Sequence, residues 1–201
     1  AVAAALRGAA PWPSLEHARL WLVPTTAGTG SEVTRWATIW DTDGPVALKR
    51  SFDESWGFAE RAFVDPELTL SAPTALTRDT ALDSFAHALE AIWNRHANPV
   101  SDALAVQAER RVRAHLAGVL ARPRALAGRE QLALAALEAG LAFAQTRTSL
   151  AHALSYALTL EQGVPHGLAV AAWLSTACRL AVGRNAGVDA RLQAVFGVPA
   201  A

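Results

Sequence analysis

Residues 81–90 read ALDSFAHALE, a stretch that lies where apolar residues begin to recur with helical spacing. Asp83 and His87 are four residues apart, so a helix places their side chains next to each other on one face. The rest of this stretch is mainly Ala, Leu and Phe, which indicates that this face points into a core. The carboxylate and the imidazole therefore either hold each other or hold something between them.

The helical period continues to the end of the chain and predicts a helical bundle. Asn98-Pro99 separates the first two helices, and Ser101 is the expected N-cap of the second. Pro165 and Gly167 break the pattern around His166, so a new helix opens there. The predicted helices cover 77–95, 101–121, 127–144 and 148–160, and a fifth begins at 165–167.

The chain before residue 72 has a different pattern, in which short apolar or β-branched runs alternate with turn residues. Asp43-Gly44-Pro45 is a strong turn signal, and residues 1–9 have the composition of the end of a helix. The predicted strand segments are 18–24, 32–45, 46–52 and 61–68. We therefore predict a mainly α fold with a short β-rich N-terminal part, divided into domains 1–72 and 73–201.

Composition limits the functional class. Hydrophobic residues make up 52% of the 201 residues, and 18 basic residues balance 18 acidic ones, which disfavours a disordered or nucleic-acid-binding protein. No signal peptide or uninterrupted apolar run of spanning length is evident, so we expect no membrane partner. The single cysteine, Cys178, excludes an internal disulfide and favours a cytoplasmic protein.

The six histidines fall into two groups. Those among charged or loop residues are expected at the surface: His17, His96 and His115. Those in apolar helical stretches are His87, His152 and His166. With Asp83, the second group makes a mixed oxygen and nitrogen ligand set for a divalent cation, with positions left for substrate. The alternative is an Asp83–His87 ion pair with two core histidines bonded to backbone carbonyls. For any one of these residues alone this alternative is favoured, but for the four together the metal site is favoured.

Four segments carry a resemblance to a known family: PTTAGTGSEVT (24–34), FVDPELTLSAP (63–73), LDSFAHALE (82–90) and HALSYALTLEQGVPHG (152–167). In this order they resemble the iron-containing, or group III, alcohol dehydrogenases, which are related to glycerol dehydrogenase and dehydroquinate synthase. The resemblance implies part of a Rossmann-like α/β half followed by an all-α metal-binding bundle of the dehydroquinate synthase-like fold. It also implies the metal ligands Asp83, His87, His152 and His166, with Fe²⁺ expected and Zn²⁺ or another divalent metal as the alternative.

The PTTAGTGSE segment offers glycines and threonine hydroxyls to a phosphate or a ribose, although a tight polar turn explains it equally well. The resemblance implies that this loop lines NAD(H) or NADP(H). The expected cofactor contacts are Thr25, Thr26, Gly28, Thr29 and Lys49, the last being the only lysine of the chain. The implied chemistry is hydride transfer between the nicotinamide and a small alcohol or aldehyde, with the metal as Lewis acid.

The chain departs from the family pattern in several places. The family's glycine-rich GGG-Ser turn is absent, and only 35 residues follow His166, so we expect an internal fragment of a longer protein that forms homo-oligomers. Tyr156 stands where many relatives carry a further histidine, which makes it the candidate for proton relay. An inactive remnant that keeps the metal-binding bundle stays open, and so does a zinc-dependent polyol dehydrogenase.

The segments QTRTSLAHALSYALTLEQGVPHG and WATIWD resemble most the phosphonoacetaldehyde reductase, or hydroxyethylphosphonate dehydrogenase, branch of the family. Other relatives have an Asn-Ala-Gly-Leu-Gly-like stretch where this chain has Thr146-Arg147-Thr148. A guanidinium flanked by two hydroxyls suits a phosphonate, and this resemblance therefore implies phosphonoacetaldehyde as substrate. The alternative is that Arg147 caps a helix or pairs with Glu161.

Overall fold

The computed structural model describes residues 19–41 and 48–197. The helix expected over 1–9, the turn at 43–45 and His17 lie outside these ranges. Within them, most residues are helical and the few strands all precede residue 72, so the predicted fold class is confirmed. The domain division after residue 72 stays a prediction.

Six α-helices lie in the described ranges. They are α1 (Thr74–Ile92), α2 (Pro99–Ala121), α3 (Leu126–Thr146), α4 (Leu150–Gln162), α5 (His166–Ala181) and α6 (Ala186–Phe196). The first five match the predicted helices, whereas α6 was not predicted. None of the six has the combination of length and apolar character that crossing a bilayer requires.

The start of α2 shows why the predicted cap was wrong. The N-cap residue is Asn98, whose side chain accepts hydrogen bonds from the backbone N–H groups of Val100 and Ser101. Ser101 is the third residue of the helix, and its hydroxyl accepts a hydrogen bond from the backbone N–H of Asn98. This reciprocal arrangement is a capping box, which lets the helix begin at Pro99.

The strands form two separate pairs. β1 (Trp21–Leu22) lies parallel to β4 (Arg61–Ala62). β2 (Trp36–Asp41) lies antiparallel to β3 (Leu48–Asp53), and Trp36 is opposite Asp53 in this pair. The pair β2–β3 places Trp40 and Lys49 opposite each other, which brings both side chains towards the helices that carry the predicted ligands.

The core of the bundle surrounds α1, which packs against α2, α3 and α5. Its buried residues are mostly alanines, and the small side chain lets helix backbones approach closely. The alanines with no exposed surface include Ala86, Ala88, Ala91, Ala105, Ala108, Ala139, Ala142 and Ala151. The predicted ligands on α1, Asp83 and His87, are therefore buried beside this core.

Candidate metal centre

Three helices bring the four predicted ligands to one place. Asp83 and His87 come from adjacent turns of α1, His152 from the first turn of α4, and His166 is the first residue of α5. Asp83 Oδ1 lies 3.8 Å from His87 Nε2, 3.4 Å from His152 Nε2 and 3.7 Å from His166 Nε2. The four side chains therefore surround Asp83 Oδ1, and their role as metal ligands stays a prediction.

Asp83, His152 and His166 each offer a ligand atom within 4.8 Å of the others. His87 approaches the same carboxylate from the other side of His152, since its ring stacks on the His152 ring with centroids 4.7 Å apart. The opposite contact of His87 is Phe143, which stacks on it at 4.1 Å. The position of His87 is therefore fixed by packing between two rings.

Two facing atoms of this group are buried without hydrogen bonds to the described part of the chain: Asp83 Oδ1 and His152 Nε2. Burying a carboxylate oxygen without a partner is costly, so such an atom points to a bound group. The donor set of one carboxylate and three imidazoles suits a divalent cation, so the residues present fit the metal that the sequence predicts. His166 has 31% of its side chain exposed, which leaves one side of the centre open.

Burial and the neighbouring charges set the protonation states of the four residues. Burial raises the pKa of Asp83, but the three histidines outweigh it and hold the pKa well below its usual range. Burial lowers the pKa of His87 to about 4 and also lowers the pKa of His166. These three residues are therefore a carboxylate and two neutral imidazoles near neutral pH, which are the forms that bind metals.

His152 differs, because a second carboxylate lies on its other side. Its Nδ1 is 2.6 Å from Oε2 of Glu90, a residue of α1 with no exposed surface. Burial alone lowers the pKa of His152, but Asp83 and Glu90 together raise it to about 9. Glu90 was not predicted as part of the site, although helical spacing places residues 83, 87 and 90 on one face.

Tyr156, the candidate for proton relay, forms a pair with Lys49. The Lys49 ammonium donates a hydrogen bond of 2.7 Å to the phenol oxygen and lies 4.0 Å from the ring centroid. Trp40 makes edge-to-face contacts with both Tyr156 and His166, with ring centroids 6.3 and 6.1 Å apart. Tyr156 therefore lies beside the open side of the centre, next to the only lysine of the chain.

Arg147, the predicted phosphonate contact, pairs with Asp53 of β3 and not with Glu161. Its Nη2 donates to Asp53 Oδ2 at 2.8 Å, while Asp53 Oδ1 accepts from Arg35 Nε and Trp36 Nε1 at 2.7 and 2.8 Å. Arg147 has φ 70° and ψ 173°, a backbone conformation that is essentially restricted to glycine.

The two predicted neighbours of Arg147 do not flank its side chain as a pair of exposed hydroxyls. Thr146 is buried, and its hydroxyl donates a hydrogen bond of 3.1 Å to the carbonyl of Arg147. Thr148 is half-buried. The backbone turns the Thr146 hydroxyl inward, and the substrate role of residues 146–148 stays a prediction.

The loop expected to line the cofactor lies against α1 and α3. A Cβ at Gly28 would be 2.6 Å from Cβ of Thr80, three residues before Asp83, so this close approach requires glycine. Thr25 and Thr29 are exposed and Thr26 is half-buried. The cofactor role of these residues stays a prediction.

Comparison with known proteins agrees with this geometry. The family model for the C-terminal part of the Fe-containing alcohol dehydrogenase family matches residues 77–199. The sulfoacetaldehyde reductase of Bilophila wadsworthia is 35% identical over 149 residues, which are 74% of this chain and 38% of that protein. The 1,3-propanediol dehydrogenase of Klebsiella pneumoniae is 38% identical over 158 residues, which are 78% of this chain and 40% of that protein.

Among solved structures, the sulfoacetaldehyde reductase from Bifidobacterium kashiwanohense in complex with NAD⁺ superposes with a TM-score of 0.83 at 33% sequence identity. The match covers 89% of this chain and 47% of that one. The chain therefore spans less than half the length of these relatives.

Proposed function

Because the chain belongs to the iron-containing alcohol dehydrogenase family, we propose that it forms the metal-binding part of a metal-dependent, NAD(P)-linked alcohol dehydrogenase or aldehyde reductase. The observation that carries the proposal is the convergence of three imidazole Nε2 atoms on Asp83 Oδ1, at 3.4 to 3.8 Å. The family favours iron, although the same ligand types also serve zinc.

Asp83, His87, His152 and His166 would hold the metal. The chemistry that a divalent cation supplies is Lewis acidity towards a carbonyl or hydroxyl oxygen, and the nicotinamide supplies or accepts the hydride. The exposed side of His166 is where a substrate would enter, because the other three residues are 3 to 6% exposed.

Tyr156 is the residue that we propose to move the proton of the substrate oxygen. Lys49 donates to the phenol oxygen, so the phenol's own hydrogen is left to point towards another acceptor. Tyr156 also follows His152 by one helical turn, which places it on the side of α4 that bears the ligand. Trp40 packs against both Tyr156 and His166, which connects the proposed relay residue to the open side of the centre.

The cofactor would lie against the loop that contains Thr25, Thr26, Gly28 and Thr29. Its support is the exposure of the threonines and the packing of Gly28 on α1, one turn before Asp83. Lys49 contacts Tyr156 beside the open side of the centre, and among the described residues this contact leaves two of its three N–H donors for a cofactor ribose.

We further propose that the substrate is a short aldehyde with an oxyanion head group, a phosphonate or a sulfonate. Arg35 and Arg147 share the single carboxylate of Asp53, which leaves one positive charge on the cluster. Arg147 also keeps a glycine-like conformation that costs on the order of 1–3 kcal/mol, and such strain is typical of functional positions. The similarity to sulfoacetaldehyde reductases supports this substrate class.

Elemental analysis of anaerobically purified protein tests the metal centre. We expect about one iron or zinc per chain in the wild type, and loss of the metal in Asp83→Asn and His152→Ala, since each removes a ligand. His96→Ala is the matched control, because His96 is an exposed histidine. If the wild type contains no metal and added metal does not change its stability, the site is only a buried ion-pair network.

Calorimetric titration of the metal-loaded chain tests the substrate class. We expect 2-hydroxyethylphosphonate and 2-hydroxyethylsulfonate to bind more tightly than neutral 1,3-propanediol. Arg147→Gln should weaken binding of the two anions and leave the diol unchanged, because the substitution removes charge without shortening the side chain much. Equal losses for anions and diol would refute the role of Arg147 in recognising charge.

A further inference from the structure

Glu90 is a buried carboxylate that makes an unusual number of hydrogen bonds. It accepts from the backbone N–H groups of Ser149 at 2.8 Å and Ala151 at 2.6 Å, and from the Ser149 hydroxyl at 3.0 Å. It also contacts Nδ1 of His152 at 2.6 Å. One side chain of α1 therefore holds both the start of α4 and the ring of a predicted ligand on that helix.

We propose that Glu90 is the positioning residue of the metal centre: it fixes the tautomer and the ring orientation of His152 so that Nε2 faces Asp83. This inference rests on the proposed function. It assigns Glu90 no contact with the metal or the substrate, and its effect passes entirely through His152.

The two ring nitrogens of His152 each face one carboxylate. The Glu90 carboxylate accepts hydrogen bonds from two backbone N–H groups and a hydroxyl, and it faces Nδ1 as an acceptor at 2.6 Å, so Nδ1 carries the hydrogen. When His152 is neutral, as a metal ligand must be, its lone pair is then on Nε2, which lies 3.4 Å from Asp83 Oδ1. A carboxylate in this position behind a metal-binding histidine is a recurrent arrangement that orients the ligand.

The backbone contacts make the orientation rigid. Ser149, the N-cap residue of α4, provides no side-chain cap in the described structure, and Glu90 satisfies the first N–H groups instead. Trp93 adds a hydrogen bond from its Nε1 to the Ser149 hydroxyl at 3.0 Å. Because the same carboxylate binds backbone and ring, it is held in place by the helix whose predicted ligand it orients.

The competing explanation is that Glu90 only caps α4. Ser149→Ala weakens the docking of α4 without touching the ring contact, because it removes the hydroxyl contacts with Glu90 and Trp93 but leaves the carboxylate on His152. Glu90→Gln affects both roles, since either placement of the amide nitrogen faces a backbone N–H. An amide nitrogen next to Nδ1 also donates to it and moves the ring hydrogen to Nε2.

Zinc titration with a competing chelator, together with urea unfolding of the metal-free chain, measures the two roles separately. We expect Ser149→Ala to lower the stability of the metal-free chain and to keep zinc affinity within about 3-fold of the wild type. Glu90→Gln should weaken zinc binding by about 10- to 100-fold. Equal zinc affinities in the wild type and Glu90→Gln would overturn the proposal, as would equal losses in both variants.

A second measurement needs no variant and therefore holds even if Glu90→Gln does not fold. Long-range ¹H–¹⁵N correlation spectra of the zinc-loaded wild type should show hydrogen on Nδ1 of His152 and none on Nε2. Hydrogen on Nε2 would overturn the positioning role. If the wild type bound no zinc, the proposed metal centre itself would fail, whereas zinc binding unaffected by Glu90→Gln would remove only the role of Glu90.

Discussion

Replacing Gly167 with alanine should disturb the candidate metal centre, although Gly167 is not itself one of the predicted ligands. Gly167 is buried and follows His166 at the start of α5, where the helix lies against α1. A Cβ at this position would be 1.8 Å from the carbonyl oxygen of Asp79 and 3.3 Å from the backbone nitrogen of Asp83. Both neighbours are backbone atoms of a central helix, so they cannot turn aside as a flexible side chain would.

The size of the effect follows from the overlap. An ordinary contact needs at least 3.4 Å, so the start of α5 has to move away by roughly 1.5 Å. Overpacking of this kind costs about 1–3 kcal/mol, against about 0.5–1 kcal/mol that alanine gains over glycine in a helix. His166 moves with the helix, and a shift of roughly 1.5 Å exceeds the ±0.2 Å tolerance of ligand distances. We therefore expect a net destabilisation of about 1–2 kcal/mol and zinc binding weaker by at least about tenfold.

Urea unfolding of the metal-free chain and zinc titration measure the two expected effects of Gly167→Ala. Gly118→Ala is the matched control, because Gly118 lies within α2 and an added Cβ meets no described atom within 4 Å. The control should raise stability by about 0.5–1 kcal/mol and leave zinc affinity unchanged. A Gly167→Ala variant that is as stable as the wild type and binds zinc equally well would refute the argument from close packing.

Three further predictions concern residues outside the ligand set. Burial raises the pKa of Glu109 to about 7. The folded chain therefore retains a proton that the unfolded chain loses, so the free energy of unfolding falls as pH rises from about 4.5 to 7. Urea unfolding should therefore show Glu109→Gln gaining roughly 2 kcal/mol on the wild type between about pH 5.5 and 8, and a pH-independent difference would contradict this. Arg147→Gly should stabilise the chain by about 1 kcal/mol and raise its melting temperature. The reason is that the relief of backbone strain exceeds the loss of an exposed ion pair with Asp53. A lower melting temperature would mean that the ion pair dominates. In steady-state assays of aldehyde reduction, Tyr156→Phe should lower kcat by about 10²-fold with zinc affinity unchanged, and an unaltered kcat would exclude proton transfer by the phenol.

The helical part of the fold could be predicted because its signal is local. Spacing places residues 83 and 87 on one face, and the break at Pro165 and Gly167 separates α4 from α5. The missed α6 also had local signals, since Asn185 caps its start and Gly197 ends it with φ 67°. Because the apolar segment between them is short, the cap residues alone were too weak a signal to predict a helix there.

What could not be predicted depends on contacts between distant parts of the chain. The parallel pairing of β1 with β4 joins segments about 40 residues apart, and nothing in either two-residue strand specifies it. The positive φ of Arg147 has no sequence signal, because arginine rarely adopts it. Glu90 lies in the quoted stretch itself, but its partners are in α4, and only the fold shows that its carboxylate is bonded rather than solvated.

The charge balance around α1 explains how the fold tolerates so many buried ionisable groups. Asp83 and Glu90 are both ionised and are 5% and 0% exposed, which alone would be strongly destabilising. A protonated His152 lies between them and offsets one of the two charges, while His87 and His166 are neutral. One net negative charge is therefore left in a largely buried site, which favours a cation at the point where the imidazoles meet.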